Sequence, residues 1–315
     1  MFPKVLASRA IKEAALQLGF DACGISTATF LENEARQLEQ FLSENRQGKM
    51  DWLGNHFEKR VDPRKLMPGT RSVISVLANY QPEINNTPEL NVPKISQYAW
   101  GPDYHSVLKA QLKKLIEILR EQFGQVEARC FVDSAPVMDK VWAARAGLGW
   151  IGKNTNLIRK GEGSWYFIGE ILTDLALEPD GPVTDHCGSC TKCIDACPTQ
   201  ALSPYQIDAS QCISYLTIEL KEQIPEPLQN QLEGWAFGCD ICQQVCPWNS
   251  FGQAHTTGWF TPLDGKHHDI SFLSEEISDA EWKNSVKGTP LSRIKPEKWR
   301  ENIRLAKRYF DLDKG

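Results

Sequence analysis

Eight of the ten cysteines in this 315-residue sequence fall between Cys187 and Cys246, and their spacing limits the possible folds more than any other feature. Cys187, Cys190, Cys193 and Cys197, followed by Pro198, spell C-x2-C-x2-C-x3-C-P. In a run of this kind three thiolates hold one four-iron four-sulfur (4Fe–4S) cubane, and the fourth reaches across to a second. Zinc sites favour two separated C-x2-C knuckles over a single dense run ending in Cys-Pro. A second run is incomplete: Cys239, Cys242 and Cys246-Pro247 match the last three cysteines, but residue 236 is alanine. Cys212, upstream, is the candidate replacement. The crossed pattern then assigns Cys187, Cys190, Cys193 and Cys246 to one cluster, and Cys197, Cys212, Cys239 and Cys242 to the other. The alternative is a buried Cys212 that binds nothing, beside a three-iron cluster.

Composition fits a soluble globular protein, with 41% hydrophobic and 24% charged residues and length enough for two domains. Lys4, Arg9, Lys12 and Glu13 interrupt the apolar positions of the first residues, so neither a signal peptide nor a membrane span is expected. The expected compartment is the cytoplasm, where thiols stay reduced and clustered cysteines bind metal. Cys23 and Cys130 lie outside the cluster region and read as small buried apolar residues. The net charge of −5 argues against nonspecific coating of nucleic acid. Residues 281–315 nonetheless carry ten Lys/Arg against five Asp/Glu, a local +5 that leaves −10 on residues 1–280. A basic tail can hold a phosphate backbone, and a solvated helix face explains it equally well.

Periodicity predicts a helix through Ala10–Leu18 stopped by Gly19, a long amphipathic helix in HSVLKAQLKKLIEILREQF, and helices near 278–285 and 296–309. RSVISVLANY, VEARCFVD and WYFIGEILT read as strands. The expected organisation is an α/β or α+β domain over residues 1–175, a ferredoxin-like domain with two clusters over 176–250, and a short helical segment over 251–315. Gly147-x-Gly149-x-x-Gly152 formally matches a dinucleotide fingerprint, but a helical pattern precedes it and loop-like sequence follows it. Its glycines are expected instead to let the backbone approach a large ligand. Asp133 or Ser134, before Pro136, suits a helix N-cap.

VDSAPV (132–137), AGLGWIGKNTNLI (146–158), ISQYAWGPDYH (95–105) and the eight-cysteine layout together resemble the epoxyqueuosine reductase family. The likeness runs from the N-terminus to about residue 250, and the family is itself similar to reductive dehalogenases. The resemblance implies a nitroreductase-like, cobalamin-binding α/β domain ahead of the cluster domain. It implies reduction of epoxyqueuosine to queuosine at the wobble position of tRNA, with cobalamin reduced by two 4Fe–4S clusters. It makes Asp133 the proton donor, a role that requires a raised pKa, which an apolar cleft supplies by desolvation. It places His56, Tyr98, Asp133, Ser214 and the backbone near Leu157 and Ile168 by cobalamin, and Lys221 near tRNA. Read alone, His56 suits a surface or a core hydrogen bond, and Lys221 an ordinary solvated lysine.

Many members of the family continue into helical HEAT-like repeats, whereas this sequence ends soon after NIRLAKRYF. GTPLSRIKPEKWRENIRLA resembles the segment before those repeats, with Glu301-Asn302 where Arg-Asn is usual. Arg300, Arg304, Lys307 and Arg308, interleaved with Trp299 and Tyr309, are candidates for phosphate contacts and base stacking. An external one-electron donor and a monomeric state complete the expectation. Two rival classes remain: a dehalogenase-like enzyme acting on a small molecule, and an electron carrier with no substrate, for which the first 175 residues would be superfluous.

Overall fold

The apolar stripes of two helices and the apolar runs of four strands build the first core. The structure, a computed structural model, describes residues 3–82, 92–261 and 274–312. Helix α1 (Lys4–Gln17) ends where Gly19 takes a φ of +101°, and leads into strand β1 (Ala22–Thr27). Next come α2 (Glu32–Ser43), β2 (Ser72–Asn79), α3 (Tyr104–Phe123), β3 (Ala128–Phe131), α4 (Asp139–Arg145) and β4 (Tyr166–Thr173). The four strands form one sheet in the order β1-β2-β4-β3, antiparallel throughout. The mixed α/β domain is therefore of the α+β kind.

Strand alternation divides this sheet into two apolar faces. Ile74, Val76, Phe167 and Ile171 pack with α1 and α3, through Ile11, Ala15, Leu108 and Leu112. Val73, Leu172 and Phe131 pack with Leu31, Leu38 and Trp142 from the α2 and α4 side. Helix α4 lies very close to β1: a Cβ on Gly24 would meet the Ala146 carbonyl oxygen at 2.2 Å, so only glycine fits there. Cys23 and Cys130 pack against the first of these cores.

The cysteine region is mostly turns and single helical turns, pinned by strand Trp235–Phe237, which pairs in parallel with Lys94–Ile95. Two further helices, α5 (Asp279–Ser285) and α6 (Pro296–Leu312), close on this strand. Their core holds Trp282, Trp299, Ala236 and Phe237, so the C-terminal segment packs on the cysteine region. Asn302, fully buried, donates to the Thr217 carbonyl at 2.8 Å and to that of Ala236 at 2.9 Å. Ala236, where the second cysteine run lacks its first member, is thus a packed strand residue. Among the described residues no helix is long and apolar enough to cross a membrane.

Three local expectations need correction. The sequence after Gly152 forms a small hairpin, Trp150–Ile151 against Leu157–Ile158, where loop was expected. Its glycines serve that hairpin: a Cβ on Gly149 would meet the Ile158 carbonyl oxygen at 2.3 Å, and one on Gly152 would meet Ile158 Cδ1 at 2.4 Å. The close approach of these glycines is to Ile158, while the hairpin tip (Asn154, Thr155 and Asn156) lines a cavity. Trp299 offers no face for a base, because it is fully buried and stacks on Trp282 with ring centroids 4.5 Å apart. In the same helix Arg300 is held by Asp279 at 2.9 Å, while Arg304 and Arg308 are exposed.

Candidate active site between an acid and a thiolate set

The eight clustered cysteines gather into two groups. Burial raises the Cys193 thiol, and the sulfurs of Cys246, Cys187 and Cys190 raise it further. Burial likewise raises Cys246, with Cys187 and Cys190 adding to it. In the other group burial raises Cys239, helped by Cys242 and Cys212, and raises Cys212, helped by Cys197. Cys242 is pushed up to about 12 by burial, then by Cys212, Asp240, Cys193 and Cys197, so the two groups adjoin. Thiols crowded in this way repel one another as thiolates, and a polynuclear cation removes that repulsion. The donor set fits a pair of iron–sulfur clusters.

The AGLGWIGKNTN segment holds these groups against the first domain. Trp150 Nε1 donates to Cys187 Sγ at 3.5 Å. Lys153 Nζ donates to the carbonyls of Gly188 at 2.7 Å and Cys190 at 3.0 Å. Asn154, buried, donates to the Cys242 carbonyl at 3.3 Å. From the other direction Asp240 accepts from the Ser96 hydroxyl and, at 2.8 Å, from the Gln97 amide.

Between the two parts lies an open cavity of about 410 Å³. Cys197, Cys212, Cys239 and Cys242 line one wall. Tyr98, Tyr104, Asp133, Asp139, Phe167 and Ile168 line the other, and Ser214 also faces in. The other four cysteines lie outside this lining, near Trp150 and Trp248, whose rings meet edge-on at 5.4 Å. Mostly apolar walls with a few polar groups suit a large organic cofactor. Of the remaining expected contacts, His56 is exposed ahead of the helical turn Phe57–Val61, at a φ of 57°. Leu157 is buried in the hairpin, and Lys221 is exposed; none of the three lines the cavity.

Asp133 stands at the centre of a polar network. Asp103 caps α3 by accepting from the His105 amide, which sets Tyr104 and His105 in the helix's first turn. Tyr104 donates its hydroxyl to Asp133 Oδ2 at 2.9 Å. His105 Nε2 lies 3.1 Å from the same oxygen, and its Nδ1 lies 2.8 Å from Asp103 Oδ1. Arg293, from the turn Pro290–Arg293, approaches Asp133 to 3.6 Å and Glu219 to 3.1 Å. Asp133 itself has a φ of 53°, an uncommon left-handed backbone for a non-glycine residue.

The electrostatics correct the expected raised acid. Burial pushes the Asp133 carboxyl up, but His105, Tyr104 and Arg293 together outweigh it and hold it at about 2. His105 moves the opposite way, raised first by its hydrogen bond to Asp133 and also by Asp103, against burial. Both its ring nitrogens face carboxylates, an arrangement that favours the imidazolium. The capping role considered for Asp133 is not seen: the N-cap of α4 is Met138, with no side-chain cap bond.

Comparison with known proteins follows the same division. A family model described as "Epoxyqueuosine reductase QueG, DUF1730" matches residues 60–134, and one described as "4Fe-4S double cluster binding domain" matches 186–249. An epoxyqueuosine reductase from Leadbetterella byssophila is 52% identical over 302 residues, covering 95% of this chain and 98% of its own length. This chain belongs to the epoxyqueuosine reductase family. A second epoxyqueuosine reductase, from Cellulophaga algicola, is 51% identical, covering 94% of this chain and 97% of its own. A crystal structure of epoxyqueuosine reductase with an epoxyqueuosine-modified tRNA-Tyr stem loop superposes with a TM-score of 0.85 at 30% identity. It covers 96% of this chain and 81% of its own. The protein is an oxidoreductase with a double-cluster 4Fe–4S domain.

Sequence reasoning missed Tyr104, His105, Asp139 and Arg293. Tyr104 and His105 lay in the ISQYAWGPDYH motif, and the Asp-x-His spacing of a capped helix start was the available signal. Arg293 lay in GTPLSRIKPEKWRENIRLA, where only the likeness of the segment pointed to it.

Proposed function

We propose that this protein reduces epoxyqueuosine to queuosine at the wobble position of tRNA, in the cytoplasm and as a monomer. One observation carries the reading: four clustered cysteines and Asp133 line the same cavity. A plain electron carrier needs neither the cavity nor the acid.

In this reading residues 1–175 form the nitroreductase-like, cobalamin-binding domain, 176–250 hold the clusters, and 251–315 close the site through Arg293. Cys187, Cys190, Cys193 and Cys246 hold the outer cluster, where an external one-electron donor delivers. Cys197, Cys212, Cys239 and Cys242 hold the inner one, against the cavity. The crowding of thiols within each group, described above, supports these two sets. Tyr98, Asp133, Ile168 and Ser214 are the side chains that would hold cobalamin, with Leu157 behind them in the hairpin and His56 at the surface. When bound, cobalamin supplies a low-potential cobalt centre for passing electrons to carbon.

The chain's own residues manage the proton. Loss of the epoxide oxygen as water and formation of the alkene consume two electrons and two protons. Asp133 rests as the carboxylate, so its proton must come from a neighbour. His105 Nε2, 3.1 Å away, is the group placed to give it. As the C–O bond lengthens, Asp133 passes the proton to the departing oxygen, and Arg293 and Tyr104 hold the carboxylate in place throughout. Lys221, exposed beyond the cavity, contacts the tRNA backbone.

The test is anaerobic loading with iron, sulfide and cobalamin, followed by incubation with tRNA carrying epoxyqueuosine and nucleoside mass spectrometry. Queuosine is the expected product. Its absence from cluster- and cobalamin-loaded protein would refute the reading.

A further inference from the structure

Asp103 caps α3, but a cap needs only one acceptor contact, and this carboxylate oxygen makes a second. Its Oδ1 accepts the His105 amide at 3.0 Å and also lies 2.8 Å from His105 Nδ1. The backbone around it is tied down. The Asp103 amide donates to the Gly288 carbonyl at 2.7 Å, and the Asp103 carbonyl accepts from the Ser106 amide at 3.1 Å. The His105 ring is held as well: it stacks on Tyr104 with centroids 4.1 Å apart, and Tyr104 stacks on Phe167 at 4.3 Å. The fold thus presents one ring nitrogen to Asp103 and the other to Asp133.

These two carboxylates are not equally served. Asp133 accepts from the Tyr104 hydroxyl at 2.9 Å, faces Arg293 at 3.6 Å, and lies 3.1 Å from His105 Nε2. Asp103 pairs with no lysine or arginine among the described residues, and its carboxylate is served by the His105 amide and ring. The charged and titratable groups around the ring are Asp103 and Tyr104 at the head of α3, with Tyr98 against Tyr104, and Asp133 after β3. Behind Asp133 stands Arg293, which also engages Glu219 at 3.1 Å. An imidazolium carries a proton on each nitrogen, and once it gives one up, the bond at the other nitrogen fixes the tautomer. The proton that stays is the one whose acceptor is closer and has fewer other donors. That is the proton on Nδ1, at Asp103.

We propose that Asp103 is a positioning residue, which keeps the Nδ1 proton of His105 in place so that the mobile proton is the one on Nε2, facing Asp133. The inference rests on the proposed function, in which His105 supplies the proton that Asp133 delivers. In that step the Nε2–H bond breaks as an O–H bond forms on Asp133 Oδ2, and Asp133 then protonates the departing oxygen. The imidazole is left neutral, with its remaining proton on Nδ1 against Asp103. No electron moves in this transfer. Without the Asp103 carboxylate, Nδ1 loses its proton to water first, and the ring stays bonded to Asp133 through Nε2 without passing a proton on. Asp103 touches neither substrate nor cofactor and acts through His105.

Two variants separate this role from capping. Asparagine caps a helix about as well as aspartate, so D103N keeps the cap and loses the charge, whereas D103A loses both. Nitrogen NMR of the cluster-loaded, oxidised protein, labelled at histidine and free of cobalamin and substrate, reads the His105 ring, which is identified by its absence in H105Q. The neutral ring is expected to carry its proton on Nδ1 in wild-type protein and on Nε2 in D103A. In D103N, His105 should titrate at lower pH than in wild type, because the Asp103 charge that helps to raise it is gone, while iron content and Tm stay unchanged. In the loaded enzyme the alkaline limb of the pH–rate profile, where His105 loses its proton, should move to lower pH in D103N with that titration. Turnover of D103A should fall about 10-fold or more. A neutral wild-type ring with its proton on Nε2 overturns the proposal, and so does a D103N enzyme whose titration and profile match the wild type. A wild-type holoenzyme that makes no queuosine overturns the substrate reading, while the tautomer and the titration, read without substrate, still decide the role of Asp103.

Discussion

Replacing Asp133 with asparagine removes one charge and leaves the shape of the site, so its effect on His105 can be worked out in advance. His105 Nε2 and Asp133 Oδ2 are 3.1 Å apart, with the imidazole side chain 20% exposed and the carboxylate 44% exposed. At that separation, fully water-screened unit charges attract by about 1.3 kcal/mol, and less complete screening enlarges this. The half-open carboxylate keeps the effect near the lower figure. In D133N the His105 pKa should therefore fall, because its first-ranked raising partner is gone. The direction in stability follows from linkage. A histidine raised in the folded state contributes stability that is complete below its unfolded pKa and is lost as pH rises through its folded one. The stability that D133N forfeits through His105 is thus greatest in mild acid and shrinks toward alkaline pH. The assay is a proton or carbon NMR titration of the six histidines, with His105 identified by its absence in H105Q. Turnover should drop about 100-fold or more with iron content unchanged. If His105 titrates at the same pH in both proteins, the ion pair does not set its charge, and the proton route through Asp133 fails.

Arg293→Met should shift His105 in the opposite sense, to a higher pKa, because it removes a competing cation 3.6 Å from Asp133; the same titration reads it. Cys212→Ser should lower the iron content from about eight to about four per chain, measured with sulfide, if Cys212 completes the inner set. Trp150→Phe should leave iron content unchanged but lower the reduction potential of the outer cluster, read by redox titration, because it deletes the 3.5 Å N–H donor to Cys187 Sγ.

How far the sequence revealed this molecule depended on whether a feature was local. The cysteine spacing announced two clusters, and the matching of residues 186–249 to a double-cluster domain agrees with it. The stripe through Leu108, Leu112 and Leu115 defined α3, and β2 and β4 were equally plain as compact runs rich in β-branched and aromatic residues. Strand order was not legible, because the pairing of β4 between β2 and β3 depends on contacts across the chain. The charge state of Asp133 was misjudged for a related reason. Desolvation can be guessed from an apolar neighbourhood, but the opposing groups come from His105 and from Arg293, which is 160 residues further along the sequence. Trp299 was misplaced because a helix with basic residues on one face still has an apolar face to bury, and the sequence does not say which tryptophan belongs to which.

The same locality explains a motif that both lines the cavity, through Asn154, Thr155 and Asn156, and clamps the cysteine region. Gly149 and Gly152 fold the hairpin tightly, so that Lys153 and Asn154 emerge at its tip toward the cysteine region. There they hold Gly188, Cys190 and Cys242 by their carbonyls, two contacts on one side of the division between the two thiol groups and one on the other. Asp240 fixes the opposite side by accepting from Ser96 and Gln97, two residues and one residue before the cavity-lining Tyr98. A cleft built from two chain regions loses its function if either slides, since donor and acid must keep their separation for the reaction to be concerted. Carbonyl-directed clamps suit this task because they fix the backbone around each cysteine without consuming a sulfur. Arg293 approaches Asp133, at its φ of 53°, from the turn between α5 and α6, and those helices pack in one core with Ala236 and Phe237. The strand whose alanine breaks the ferredoxin pattern is therefore part of the base on which the Arg293 turn rests.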